Sequence, residues 1–219
     1  HIKNMSKSLD GEMLFSGLEL NVTKGDKIAL LSSNSLATTA FYNILNGLDQ
    51  ADSGEFNFGQ TITTAHLPNE NEEFFEDKLN LIDWLRQFSA NKDEVYLRGF
   101  LGKMLFSGEE TFKMANVLSG GEKVRCMISR MMLKGGNVLM LDEPTNHLDL
   151  ESIQAFNNAL MDFPGTVIFT CHDHHFTQTV ATRIVELTPN GCLDKLMSFD
   201  EYIANSKVQQ QKADMLQLV

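Results

Sequence analysis

Short runs with no polar break recur along this chain, and each leads into a stretch with helical spacing. Ile28 to Leu31, "NVLMLDE" and "TVIFTC" are apolar on both faces, as strands covered by helices above and below must be. "ELNVTKGDKIALL" begins as an alternating strand and turns at Lys-Gly-Asp into the first of these runs. A loop follows, then a helix over about Thr38 to Leu45 with Phe41, Ile44 and Leu45 on one side, stopped by Asn-Gly. "DSGEFNFGQTITTAHLP" predicts two short strands, and the acidic "NENEEFFED" a loop with Phe74 and Phe75 packed beneath it. From 79 to 116 the period is helical with no strand signal. "VLSGGEKVRCMISRMMLKGG" then reads as loop, helix and Gly-Gly stop, with at least two of Met127, Met131 and Met132 as gap-filling core residues. A helix over "LDLESIQAFNNALMDFPG" and a final strand with a turn in "RIVELTPNGCLDK" complete the alternation. "NSKVQQQKADMLQLV" is a polar, helix-like run with little to bury. Buried strands alternating with helices predict an α/β fold: a mainly parallel sheet flanked by helices, with an antiparallel β edge. The expected division is a core from 1–78 and 117–205, a helical subdomain at 79–116, and the start of a C-terminal helical extension at 206–219.

Composition narrows the partners. In 219 residues, 29 Asp and Glu outweigh 18 Lys and Arg for a formal charge of −11, and no basic cluster is present to grip a nucleic-acid backbone. Cys126, Cys171 and Cys192 lie far apart, which points to reduced thiols and a cytoplasmic protein. No apolar run is long enough to span a bilayer, so membrane insertion is not expected. The chain does not begin with Met, and its polar end reads as a cut from something longer.

Chemistry gathers at two places. Asp142 and Glu143 follow a buried strand, where ligands sit in open α/β sheets. Asp142 there can hold Mg2+, directly or through water, and Glu143 can polarise a water for attack on a phosphoryl group. About twenty residues upstream, "LSGGE" predicts a capped helix start: Ser119 at the cap, Glu122 at the capping-box position, and Gly120 and Gly121 leaving the first amides bare toward an anion. Read singly, a strand ending in polar residues and an ordinary capping box are both adequate accounts. His172, His174 and His175 with Asp173 have poor spacing for three ligands on one metal.

Taken together these segments resemble the ATP-binding cassette family over nearly the whole chain. "LSGGEKVR", Leu118 to Glu122 at its start, looks like the signature, "VLMLDE" like the Walker B strand, "HLDL" like the D-loop, and His172 like the switch histidine. The tetrapeptide Thr145-Asn146-His147-Leu148 is similar to the ABC-F branch, in which two cassettes share one polypeptide without a membrane domain and members act on ribosomes. The resemblance implies a P-loop NTPase-like cassette fold, ATP and Mg2+ as ligands, Glu143 and His172 as catalytic residues, and another cassette as partner. That partner is most simply the N-terminal half of the same protein, this chain being the second cassette.

Within that frame, "SSNSLATT" occupies the phosphate-loop position, G-x-x-x-x-G-K-[ST] in general form. The implied nucleotide contacts are Ser33, Asn34, Ser35, Leu36, Ala37, Thr38 and Thr39, with Leu9 against the base and Thr39, Asp142 and Asn69 toward the metal. The glycines have become Ser32 and Ala37 and the lysine Thr38; only Thr39 is kept. Lys27 starts the preceding strand and lies at its far end. Leu9 replaces the usual aromatic residue, and Asn69 stands at best where a longer glutamine is usual. The expectation is a weak or inactive ATP site of its own, an intact signature for the partner's ATP, and hydrolysis only in the two-cassette protein. Two other readings stand beside this one: the ATP-binding subunit of a transporter with separate membrane subunits, and a pseudo-enzyme that only pairs.

Overall fold

The computed structural model describes residues 1–67, 71–146 and 148–217. At its centre is a six-stranded sheet whose inner members are the three uninterrupted apolar runs and one mixed strand that carries Glu186. These are β3 (Lys27–Ser32), β6 (Val138–Leu141), β7 (Thr166–Phe169) and β8 (Arg183–Thr188), with β5 (Thr64–Leu67) and β9 (Gly191–Lys195) at the edges. The order is β5-β6-β7-β3-β8-β9, parallel throughout except for the last pair. A second, antiparallel sheet has the order β2-β1-β4, from β1 (Ile2–Leu9), β2 (Glu12–Leu20) and β4 (Ser53–Phe56). Asp10 and Gly11, both at positive φ, make the two-residue turn between β1 and β2. Gly54 is required by contact as well as by its φ of 81°: a Cβ there would meet the Asn4 carbonyl oxygen at 2.3 Å.

Strand alternation sends side chains into two cores. Ile28, Leu30, Met140, Ile168, Val185 and Leu187 face helix α1 (Ser35–Leu45) and the antiparallel sheet. Ala29, Leu139, Leu141, Val167, Phe169 and Ile184 face the remaining helices. Those are α2 (Leu81–Arg86), α3 (Glu94–Lys103), α4 (Gly120–Leu133), α5 (Leu150–Asp162), α6 (His174–Val180), α7 (Phe199–Ala204) and α8 (Ser206–Gln217). From residue 79 onward α2 and α3 are followed by two 3-10 turns, Gly108–Phe112 and Ala115–Val117, and the buried Trp84, Leu97, Leu101 and Phe106 of this stretch are continuous with the core under α4. The Trp84 ring stacks on Phe75 at 4.9 Å, and its indole N–H donates to the Phe74 carbonyl. Of the acidic segment, residues 71–77 are described: Glu72–Phe75 form a 3-10 turn in place of the expected loop, with Phe75 buried and Phe74 partly buried.

Three local expectations need correcting. Helix α1 begins at Ser35, not Thr38, because Asn34 caps it: the Asn34 side-chain oxygen accepts from the Leu36 amide at 2.9 Å. The final strand with a turn is a two-stranded hairpin, β8 and β9. The polar helix α8 buries more than its composition implies: Val208 is 4% exposed, and Lys212 reaches Glu186 on β8. Met127 and Met131 are buried as expected, while Met132 packs partly buried beside them.

Candidate functional site

Parallel strands deliver their carboxyl ends to one edge of the sheet, and the residues that follow β6, β7 and β3 meet there. After β6, Asp142 accepts a hydrogen bond from the Thr170 hydroxyl at 2.8 Å, and the same hydroxyl oxygen accepts from the Glu143 amide at 3.0 Å. Thr170, at the end of β7, therefore ties the two carboxylate positions together. Glu143 has a φ of 46°, a left-handed conformation costly for a residue with a Cβ, so the surroundings hold it in a strained aim. One of its oxygens lies 3.2 Å from His172 Nε2, and the other, Oε2, is buried with no partner among the described residues. Burial pushes its pKa above the ordinary glutamate value, with the Asp142 charge adding to the shift and His172 opposing it. Behind this pair the buried Tyr42 hydroxyl donates to the Leu141 carbonyl at 3.1 Å, fixing α1 against the end of β6.

The loop after β3 is closed by its own atoms. The Asn34 amide donates to the Ser32 hydroxyl, the Leu36 amide to the Asn34 side chain, and the Ala37 amide to the Asn34 carbonyl. Thr38, at the lysine position, is buried and turns its hydroxyl onto the Ser35 carbonyl, while Thr39 is exposed. Lys27 is engaged at the opposite end of β3, donating to the carbonyls of Phe163 and Gly165. This loop does not fit a Mg2+-triphosphate by itself: the Asn34, Leu36 and Ala37 amides are already engaged, and it carries no cation.

A cleft of about 450 Å3 joins part of this constellation. Ser33, Ser35 and Thr38 share it with Glu143, Thr170 and His172, and its far wall is Glu186, Tyr202, Gln209 and Lys212. Leu9, Asn34, Leu36, Ala37, Thr39 and Asp142 are not on its walls; Leu9 is 44% exposed at the end of β1. His174 instead pairs with Asp200, away from His172, so the histidines point to separate partners. Asn69 and His147 lie outside the described residues.

The helix start at α4 is a separate place. Ser119 caps it, its hydroxyl accepting from the Glu122 amide at 3.3 Å while the Glu122 carboxylate accepts from the Ser119 amide at 2.9 Å. Lys113 holds the other Glu122 oxygen at 2.7 Å. Ser119 and Gly120 are exposed, and the Gly120 and Gly121 amides have no acceptor within the helix. At α4's other end Gly135, at φ 66°, ends the turn after Lys134.

Sequence reasoning missed Thr170, Glu186, Tyr202 and Lys212. Thr170 carried a signal, since a polar residue ends an otherwise apolar strand; the Glu186–Lys212 pair spans 26 positions and carried none.

Comparison with known proteins bears on the family and the fold. The chain is 52% identical over 216 residues to an uncharacterized ABC transporter ATP-binding protein, YkpA, of Bacillus subtilis, covering 98% of this chain and 40% of that one. It is 31% identical over 197 residues to the energy-dependent translational throttle protein EttA of Haemophilus influenzae, covering 87% of this chain and 35% of that one. The chain thus spans well under half the length of these relatives. The dimeric structure of a bacterial ABC transporter cassette superposes with a TM-score of 0.70 at 16% identity, covering 90% of this chain and 97% of the other, which establishes the α/β cassette fold. No helix among the described residues is long and apolar enough to cross a membrane. The family pattern described as ABC transporter matches residues 15–146, and the chain belongs to that ATP-binding cassette family.

Proposed function

We propose that this chain is the second cassette of an ABC-F type protein, lending its signature helix to the ATP of a partner cassette while its own ATP site is weak. One contrast carries the reading. The start of α4 is capped with two bare glycine amides, while the loop after β3 has no lysine and spends its amides on Asn34 and Ser32. An anion can be received at the first place; at the second it must displace existing hydrogen bonds with no counter-charge from the loop itself. A lost lysine-phosphate contact removes roughly 1.5 to 3 kcal/mol of charge-assisted bonding.

In this reading residues 1–78 and 117–205 are the nucleotide-binding core, 79–116 the helical subdomain, and 206–219 the start of a helical extension. The partner is another cassette with a complete loop, most simply the N-terminal half of the same polypeptide. The 31% identity to a translational throttle protein supports an association with the ribosome, as does the Thr145-Asn146-His147-Leu148 stretch. The printed name of YkpA, an ABC transporter ATP-binding protein, favours the second reading, a subunit docking on separate membrane proteins. Sedimentation of the full-length protein with ribosomes in ATP, set against co-purification with membranes, separates the two. Glu143 and His172, though retained, serve the interface through the D-loop more than chemistry at this chain's own site.

The experiment is titration of the chain with a fluorescent ATP analogue and Mg2+ before and after A37G/T38K. The restored loop is expected to bind at least about tenfold more tightly, the factor worth about 1.4 kcal/mol. Equal, tight binding by both overturns the reading.

A further inference from the structure

The loop that has Thr38 in place of lysine does not face an uncharged wall. Across the same cleft stands Lys212, delivered by α8, and among the described residues it is the only lysine or arginine lining that cleft. Its ammonium lies 2.6 Å from Glu186 Oε1, and the Tyr202 hydroxyl donates to Glu186 Oε2 at 2.5 Å. The carboxylate is 2% exposed, whereas the lysine side chain keeps 32% of its surface. Glu186 is therefore enclosed, while the Lys212 side chain is partly exposed on the cleft wall. The anchor is also close to the loop: Glu186 pairs across the sheet with Leu31, and the next pair along is Leu187 with Ser32, the first loop residue. Lys27, the other basic residue near in sequence, is held by two carbonyls at the wrong end of β3.

From this juxtaposition we infer that Lys212 is the phosphate-binding cation of the cleft, a replacement supplied by the C-terminal helix for the lysine the loop lacks. The inference rests on the reading of the loop as a degenerate nucleotide site and locates the source of its residual affinity. The ligand class is the terminal phosphates of a nucleoside triphosphate, or inorganic polyphosphate. Sharing explains the weakness. When Lys212 turns to a phosphate, buried Glu186 keeps only the Tyr202 hydroxyl, so part of each new contact is offset by the one it replaces. A loop lysine has no such competing carboxylate.

Sharing also gives two variants opposite signs. Calorimetric titration of the 219-residue chain with inorganic tripolyphosphate, and separately with Mg2+-ATP, measures them. K212M, which keeps the stem and removes the charge, is expected to weaken both ligands by about tenfold or more. E186Q, which releases the lysine, is expected to tighten both. E186Q/K212M leaves no unpaired buried charge and so remains folded if K212M alone does not; it is expected to bind as weakly as K212M. If the double variant keeps the gain of E186Q, only the local field has changed and the inference is wrong. It is equally wrong if K212M binds like the unaltered chain. If the unaltered chain binds neither ligand while A37G/T38K binds ATP, Lys212 has no such role, yet the reading of the loop stands. Conversely, tight binding abolished by K212M would uphold Lys212 and overturn the weak-site reading.

Discussion

A single carboxylate shows how the site's electrostatics reach into stability. Glu143 is held at positive φ with one oxygen buried and unpartnered, and its pKa is raised by that burial. A raised carboxylate pKa means that the folded state holds the proton to higher pH than the unfolded chain does. Below the ordinary glutamate value of 4.5 both states are protonated and Glu143 costs nothing. As pH rises from there toward the folded value the unfolded chain ionises first, stability falls, and above it the full cost persists. Glu143→Gln is therefore expected to raise the thermal midpoint at pH 7, with the gain shrinking to nothing as pH falls through 4.5. Calorimetric scans across that range check it; a gain that is independent of pH would assign the effect to packing instead. The position was legible in the sequence because two acids follow an apolar run. The strain was not, since it arises from Thr170, which holds the Glu143 amide and the Asp142 carboxylate from a strand 27 residues on.

The two helix starts proposed to face anions are capped in different ways. At α4 the cap is a side chain that satisfies the third amide and leaves the first two bare. At α1 the cap is Asn34, drawn from within the loop itself, and it lengthens the helix back to Ser35 at the expense of open amides. Ser119→Ala removes the α4 cap without touching a core residue, and is expected to cost about 1 kcal/mol. In a chain of this size that corresponds to a fall of about 2 to 4 °C in the thermal midpoint. Denaturant unfolding with an unchanged slope would confirm a local loss, and no change in midpoint would show that the capping box contributes nothing. The α4 cap could be read directly, because Ser119 and Glu122 stand at the right spacing beside two glycines. The α1 cap could not: matched against a phosphate loop, Asn34 counts as a loop residue, and its capping role appears only once the absent glycines let the helix extend. Inner strands were legible for a simple reason, burial on both faces. The hairpin of β8 and β9 was less so, its short edge strand carrying Asp194 and Lys195 in place of an apolar run.

For the whole molecule the asymmetry becomes a rule about assembly. In the proposed arrangement each ATP is held between one cassette's loop and the other's signature, so two identical copies of this chain make two sites, each with a good signature and a poor loop. Neither site then supplies enough binding energy to hold the copies together, and each copy brings a formal charge of −11 that opposes approach at low salt. Sedimentation equilibrium of the chain is expected to give the same mass with and without Mg2+-ATP. Restoring the loop by A37G/T38K makes both composite sites complete at once, and Glu143→Gln in the same chain keeps ATP from being consumed. That triple variant is expected to dimerise on adding ATP, more readily at 0.15 M salt than at 0.01 M because screening shortens the reach of the acidic surfaces. The signature supplies the second half of each restored site, so adding Ser119→Ala should weaken the ATP-driven dimer beyond its effect on the monomer. An unaltered chain that dimerised with ATP would instead mean that its loop binds well enough to be a working site, and the need for a different, complete partner would disappear.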